Sequence, residues 1–379
     1  MIEICDIDIN FTQFRKTDDY DVKNVLSILS SVRIMLMSVQ ILEISASDDD
    51  QRLDRWLRRS FPQLTQGRIE KMCRKGEVRI NGARCKASSR IKVGQSLRIP
   101  PLTNPDPQHQ RPYNSITEQD ADAIIKMVIY RDAHIIALNK PAGLATQGGS
   151  KQTKHIDGFT EALKFEMDEK PRLVHRLDKE TSGVLLLART RKVAQYLADA
   201  FKQKKTRKIY WAAVAGVPSP QSGTINYGLV KSSFRDFEKM RCVHPNDIKK
   251  VDGAKYAATD YTVLTQLAKR GSWLAMAPIT GRTHQLRAHI AELGHPIIGD
   301  KKYGNMSQQN LGDGWGAQLG GELSDDLHLH ARYLKLEHPV TRKPLEIIAD
   351  LPDHMARTWK TFEWNGRDFS NDPFLDSLE

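Results

Sequence analysis

The segment that most constrains this chain is LVHRLDKETSGVLLLART, residues 173–190. Its second half, 184–188, is a short unbroken apolar run with the length and composition of a strand buried on both faces. Its first half starts apolar at Leu173 and Val174, then carries His175, Arg176, Asp178, Lys179 and Glu180, followed by the small Thr181, Ser182 and Gly183. A charged connection leading into a buried strand gives side chains fixed positions with access to solvent, which is what catalysis requires of a scaffold. The plainer alternative is a solvated loop with a capping Asp and a surface-paired Arg. Four residues, HRLD, do not separate the two; the rest of the chain must.

Around this segment the pattern is mixed. Strands are expected at 127–130 and 135–138, ended by Asn139-Lys140-Pro141-Ala142-Gly143. Helical spacing follows at 157–169 and 192–201, and strands at 208–214, 261–264 and 273–277. Hairpins mixed with helices, without regular strand–helix alternation, predict an α+β domain over 124–355. Residues 305–325, rich in Gly, Gln, Asn and Ser, read as a mobile loop, and 356–379 as a C-terminal tail.

Charge marks a second region. Residues 51–100 hold 14 Lys/Arg and 3 Asp/Glu, an excess equal to the chain's whole net charge of +11. A basic module on a neutral body is the footprint of a nucleic-acid partner; an anionic membrane is the competitor, but no lipidation motif supports it. Leu53, Trp56 and Leu57, then Ile69, Met72 and Cys73, form apolar helical stripes, with Arg52, Arg55, Arg59, Lys71, Arg74 and Lys75 mainly on other faces. Gly76 ends the second helix, 77–80 alternates like a strand, Asn81-Gly82 supplies a tight turn, and 96–99 closes a small sheet. Residues 101–123, stiffened by Pro101, Pro105, Pro107 and Pro112, read as a linker.

The start, 1–36, is acidic through Asp6, Asp8, Asp18, Asp19 and Asp21, unlike a signal or transit peptide. It reads as an extension, with Met35 or Met37 expected as the physiological start. Four scattered cysteines without a CxxC fit reduced thiols, and no apolar run reaches about 18 residues. A cytoplasmic protein with no membrane association is expected.

The ordered features RLDRWL, KGEVRING and GQSLRIP closely resemble the S4 RNA-binding domain over 50–100. HRLDKETSG at 175–183, RKIYWAAVAG at 207–216 and ITGRTHQLRAH at 279–289 resemble the RluA family of pseudouridine synthases, with Ala288 where the family pattern has Val. The NKPAG, LHLHA and EHP segments agree, and GDKKYG at 299–304 reads as scaffold near the site. The resemblance implies a catalytic domain with a mixed, mainly antiparallel sheet, acting without a cofactor or metal.

It also implies the site. Converting uridine to pseudouridine breaks a C–N glycosidic bond, turns the base and rejoins it through carbon. Asp178 is the implied nucleophile, Arg287 the opposite charge that favours its ionised form, and Tyr210 the ring that stacks on the detached base and could relay a proton. Leu286 closes the pocket, and Arg176 fills the gap left when the target nucleotide is flipped out. Arg52, Arg55, Arg68, Lys71, Arg74 and Lys75 are the expected RNA contacts of the small domain.

The S4 domain, the linker start and HIDG at 155–158 look most like the RluC branch, whose substrate is large-subunit (23S) ribosomal RNA, engaged free or in pre-ribosomal particles; the RluD type is the alternative. Two rivals differ in class: a catalytically silent RNA-binding assembly factor, and a metallohydrolase built on His284, His289, His295, His328 and His330. No HExxH supports the second. The basic cluster Lys202, Lys204, Lys205, Arg207 and Lys208 is divided evenly between a solvated helix end and an RNA contact.

Overall fold

The computed structural model describes residues 39–61, 63–102, 116–148, 154–232, 239–304, 323–364 and 369–374. The extension at 1–36, with its expected start, lies outside them, as do most of the 305–325 loop and much of the linker. The chain forms two compact units, Met1–Ser115 and Ile116–Glu379.

In the first unit, helices α1 (Leu53–Ser60) and α2 (Gln66–Lys75) turn both apolar stripes inward, burying Leu53, Trp56, Leu57, Ile69, Met72 and Cys73. The Thr65 hydroxyl caps α2 by accepting from Arg68 N–H (3.3 Å), and Gly76 ends it in the left-handed region at φ 71°. Strands β1 (Gln40–Glu43), β2 (Arg79–Ile80), β3 (Ala83–Arg84) and β4 (Ser96–Ile99) pair in the order β1-β4-β2-β3. Asn81 and Gly82 both have positive φ, 49° and 77°, as a tight two-residue hairpin turn demands. Strand β1, outside the expected boundary at 50, is an edge strand held along β4; with two of its four residues exposed, Ile41 among them, it is too short and too open to read.

The second unit is built on one sheet of eleven strands. These are β5 (Val128–Arg131), β6 (Ile135–Lys140), β7 (Arg172–Leu173), β8 (Ser182–Ala188), β9 (Arg207–Ala215), β10 (Ser222–Lys231), β11 (Met240–Val243), β12 (Lys255–Leu267), β13 (Gly271–Pro278), β14 (Leu329–Glu337) and β15 (Pro344–Ile348). The main path runs β11-β10-β12-β13-β9-β14-β8-β6-β5, with β15 on β14 and β7 on β8. Every pairing is antiparallel except β14 with β8, so the sheet is mixed and mainly antiparallel within an α+β unit. That parallel seam depends on Gly183. At φ 109° its ideal Cβ would lie 2.3 Å from the Ala331 carbonyl oxygen, so only glycine lets the two strands meet.

Helices α3 (Glu118–Lys126), α4 (Ile156–Phe159), α5 (Arg191–Lys202), α6 (Gln285–Glu292) and α7 (Asp353–Thr361) complete the unit. Three sequence expectations are corrected. Helix α3 occupies the end of the expected linker, because Thr117 caps it and Ile124 is fully buried. The helix expected at 157–169 is only α4 and a 3-10 turn, Thr160–Leu163, and Phe165 leaves the helical region at φ 50°.

The tail expected from 356 is no tail. The boundary falls inside α7, whose Trp359 stacks on Trp211 of β9 (5.6 Å between ring centroids), and Asp372 grips Arg207 of β9 through two hydrogen bonds of 2.7 and 2.8 Å. Burial of Trp359 against the sheet decides this.

Candidate active site

Asp178 lies on the connection from β7 to β8, and that connection is fastened at several points. Leu177 is buried, its N–H donates to the Thr146 hydroxyl (3.2 Å), and that hydroxyl donates to the Leu177 carbonyl (2.7 Å). Thr181 N–H donates to the Asp178 carbonyl (3.2 Å), and Gly143 N–H to the Lys179 carbonyl (3.0 Å). The ammonium of Lys140, fully buried, donates to the carbonyls of Pro141, Leu144 and Lys179 at 2.8–3.0 Å. Burial pushes Lys140 down to about 7, opposed by Glu180 and Asp178. NKPAG therefore holds the Asp178 loop, while the Asp178 side chain keeps 23 % exposure.

Tyr210 reaches the same place through the sheet. Ala331 of β14 pairs with Gly183 of β8 on one side and with Tyr210 of β9 on the other. Burial first, then the charge of Asp178, push the Tyr210 phenol far up, so it is protonated at any physiological pH.

The third segment follows β13. Gln285 fixes it: its amide oxygen accepts from the Thr280 hydroxyl (2.7 Å) and Arg282 N–H (3.0 Å), and its nitrogen donates to the Ala258 carbonyl (2.8 Å) and Thr259 hydroxyl (2.9 Å). Helix α6 starts after His284, a non-glycine residue at φ 51°. His284 Nε2 lies 3.9 Å from an Asp178 carboxylate oxygen, and its Nδ1 is 3.1 Å from the Tyr303 hydroxyl, which accepts from Met240 N–H (2.7 Å). Burial outweighs the pull of Asp178 and lowers the His284 pKa, with Arg287 and Lys302 adding to it.

Arg287, one turn into α6, is buried, and its ion pair is with Asp300 rather than Asp178: two bonds of 2.7 and 2.6 Å. Burial opposes both charges, yet the pairing wins, raising the guanidinium pKa and lowering the Asp300 carboxyl. Asp300 also accepts from Lys302 and Tyr303 N–H groups. The expectation of Arg287 as direct partner of Asp178 is thus modified: GDKKYG supplies its first counter-ion.

Arg176, Asp178, Tyr210, Leu286 and Arg287 line one cavity of about 640 Å³, with Tyr256 at its edge. Arg176 is exposed and Leu286 buried. His175 serves the fold, as its Nε2 accepts from Leu186 N–H (2.9 Å) and its ring stacks on Phe201 at 4.4 Å. Sequence reading gave His284 only a metal-ligand alternative and left Asp300 as scaffold; the signal for both was their place inside the quoted THQLRAH and GDKKYG segments. Among the described residues no group of three His, Cys, Asp or Glu is arranged to hold a metal ion.

In the first unit Arg52, Arg55, Arg68, Lys71, Arg74 and Lys75 are all exposed. Arg52 is not a free cation: it grips the buried Asp54 with bonds of 3.1 and 2.6 Å. Lys75 lies 3.8 Å from Glu77.

Comparison with known proteins agrees with this architecture. Residues 134–292 match the family described as RNA pseudouridylate synthase, and 51–97 match the S4 domain. The chain is 38% identical over 315 residues to ribosomal large subunit pseudouridine synthase C of Rickettsia typhi, covering 81% of this chain and 95% of the relative. It belongs to the RNA pseudouridylate synthase family. The enzyme of Vibrio cholerae with the same name is 33% identical over 321 residues, covering 84% of this pseudouridine synthase and 95% of its own length. Among solved structures, human RNA pseudouridylate synthase domain containing 4 superposes with a TM-score of 0.53 at 31% identity, over 64% of this chain and 95% of that one. This pseudouridine synthase, of the RluA type, therefore joins an S4 domain to its catalytic unit. Among the described residues no helix is long and apolar enough to cross a membrane.

Proposed function

We propose that this enzyme converts specific uridines of large-subunit (23S) ribosomal RNA to pseudouridine in the cytoplasm, with Asp178 as nucleophile on a flipped-out nucleotide. The observation that carries this reading is the convergence of Asp178, Tyr210, Leu286 and Arg287 on one cavity of about 640 Å³, roomy enough for a nucleoside. The names of the relatives from Rickettsia typhi and Vibrio cholerae support the large-subunit substrate.

Each residue has a part. The exposed Arg176 at the rim fills the stack that the target uridine leaves. The Asp178 carboxylate attacks and the N1–C1′ bond breaks. Tyr210 and Leu286 hold the free uracil while it turns. C5 then bonds to C1′ as the Asp178 oxygen–C1′ bond breaks and returns the carboxylate, and the C5 proton is removed as N1 regains one, so substrate and product are isomers and the atoms balance. Tyr210, held protonated, donates a hydrogen bond and is not a resting-state base. Arg287, itself buried and fixed by Asp300, supplies a positive charge without reorganising. Burial keeps His284 neutral, and it orients beside the carboxylate. None of these steps draws on a metal or cofactor, so activity persists in EDTA.

The test is a pseudouridine map of ribosomal RNA from cells lacking this gene, rescued by wild type or by Asp178→Asn. Loss of particular sites, restored only by wild type, fixes substrate and nucleophile together and separates RluC-like from RluD-like positions. Persistence of every site removes the ribosomal reading, and rescue by Asp178→Asn removes the nucleophile.

A further inference from the structure

Beside the catalytic cavity runs a second groove of about 520 Å³, whose lining includes Lys204, Lys205, Arg207, Lys208, Lys335 and Arg342. Lys204, Thr206, Lys208, Pro278 and Ile279 line both, so groove and cavity are continuous. Half of the six cations are already matched. Arg207 is clasped by Asp372, Lys335 bonds Glu346 (2.8 Å), and Arg342 bonds Glu337 (2.9 Å), which also accepts from the Tyr196 hydroxyl (2.7 Å). Among the described residues Lys204, Lys205 and Lys208 have no carboxylate within ion-pair distance, and two of them border the catalytic cavity.

The backbone there is unusual. Helix α5 closes with Lys205 N–H donating to the Ala200 carbonyl (2.9 Å) and Lys204 N–H to that of Phe201 (3.3 Å). This closure places its middle residue in the left-handed region, where glycine is the ordinary occupant. Lys204 holds it at φ 60°. A β-carbon strained there carries an exposed ammonium, and the turn offers no structural return for it. Lys208 is crowded as well: burial and then the charge of Lys204 lower its pKa. Two lysines on this constrained turn and Lys208 on the adjoining β9 outnumber the acid beside them, for among the described residues Lys205 has only the field of Glu337 and Lys208 only the Phe201 ring at 6.0 Å, and such an excess is completed by an anion. Along a groove leading from a nucleotide-sized cavity, that anion is the phosphodiester backbone of a nucleic-acid strand.

Resting on the reading above, we propose that Lys204, Lys205 and Lys208 form a phosphate track that grips the RNA strand next to the target nucleotide as it leaves the catalytic cavity. The track acts on the substrate's flank and not on the reacting atoms, so it sets how well a strand is seated.

The experiment uses the full chain with a large-subunit ribosomal RNA transcript from its own organism. Lys204→Gly/Lys205→Ala is compared with wild type and with Lys269→Ala, an exposed lysine on the β12–β13 turn. The double variant is expected to melt no lower than wild type, because glycine relieves the left-handed turn. Its KM for RNA should rise about tenfold, kcat should hold, and the slope of log affinity against log salt should become shallower by roughly one for each lysine removed. Lys269→Ala should behave as wild type. A double variant with wild-type KM and salt slope overturns the track while leaving the catalytic assignment intact. A wild-type enzyme that forms no pseudouridine in this RNA overturns the substrate reading and the track with it.

Discussion

The two units of this enzyme place their charges in opposite ways. In the S4 unit the core is apolar, and Asp54 is the one buried charged residue among those described. Its many Arg and Lys side chains stand on the outside. In the catalytic unit Lys140, Arg189, Arg287 and Asp300 are buried together with His289, His328 and His330. Exterior charge is inexpensive, screened by salt and tolerant of position, which suits attraction to a phosphate backbone. Interior charge is costly unless every partner is in place. Chemistry on one base needs the second kind, because a water-poor cavity strengthens each interaction and fixes its direction.

The comparison breaks most sharply at Asp178. Asp178→Asn should lower the single-turnover rate by more than about a thousandfold while RNA affinity and melting temperature stay near wild type, because the side chain is partly exposed and its ion-pair contact among the described residues is the long one to His284 at 3.9 Å. Loss of affinity in parallel with rate would mean that Asp178 binds and does not react.

Next comes the buried pair. Asp300→Asn strands the Arg287 charge and should cost roughly 3–5 kcal/mol in urea unfolding, with activity lost as well. The double variant Arg287→Met/Asp300→Leu should regain much of that stability and none of the activity. Recovered activity would reduce the pair to scaffold.

Acid sharpens the contrast further. Burial pushes His289 and His328 down to about 4 and His330 to about 3. Below the ordinary histidine value near 6.5 the unfolded chain takes up protons that the folded chain refuses, so stability falls as pH drops. Each of these residues should account for about 2 kcal/mol of lost stability by pH 5. The described S4 unit contains no histidine, and Arg52 holds the Asp54 carboxyl below its usual range, so that unit should keep its stability until the pH enters the carboxylate range. Hydrogen exchange read separately on the two units at pH 7 and pH 5, corrected for intrinsic rates, checks this; equal loss in both would remove the distinction.

The smallest effect on stability belongs to the exposed cations. Lys71→Ala and Arg74→Ala should each change stability by less than about 0.5 kcal/mol, leave kcat alone and reduce the salt slope of RNA binding by about one. Arg52→Ala should differ by destabilising the unit, because it leaves Asp54 buried without its cation. Titration of binding against salt, beside thermal melts, separates the two classes.

Much of this was legible in the residues. The stripes of α1 and α2, the Asn81-Gly82 turn, and the strands around 184–188 and 208–214 follow from short-range periodicity, which a chain writes into itself. Strands β1, β10 and β14 were not legible, since exposed positions leave β1 and β10 short of apolar residues and the buried β14 carries His330, Arg332 and Lys335 within its run. The members of the site were found through motif resemblance, because Asp178, Tyr210 and Arg287 are each commonplace alone.

The sequence by itself determined many of the strands and helices, where the surface charge gathers, and which residue types the chemistry has at hand. Tertiary structure alone decided that Ala331 brings Gly183 and Tyr210 into register, that His284 stands 3.9 Å from Asp178, and that Arg287 answers first to Asp300. It also turned the expected tail into a clasp on β9. Local pattern encodes the preferences of a few neighbouring residues. Contacts between distant residues depend on how the whole sheet closes, and there burial sets the strength of every charge.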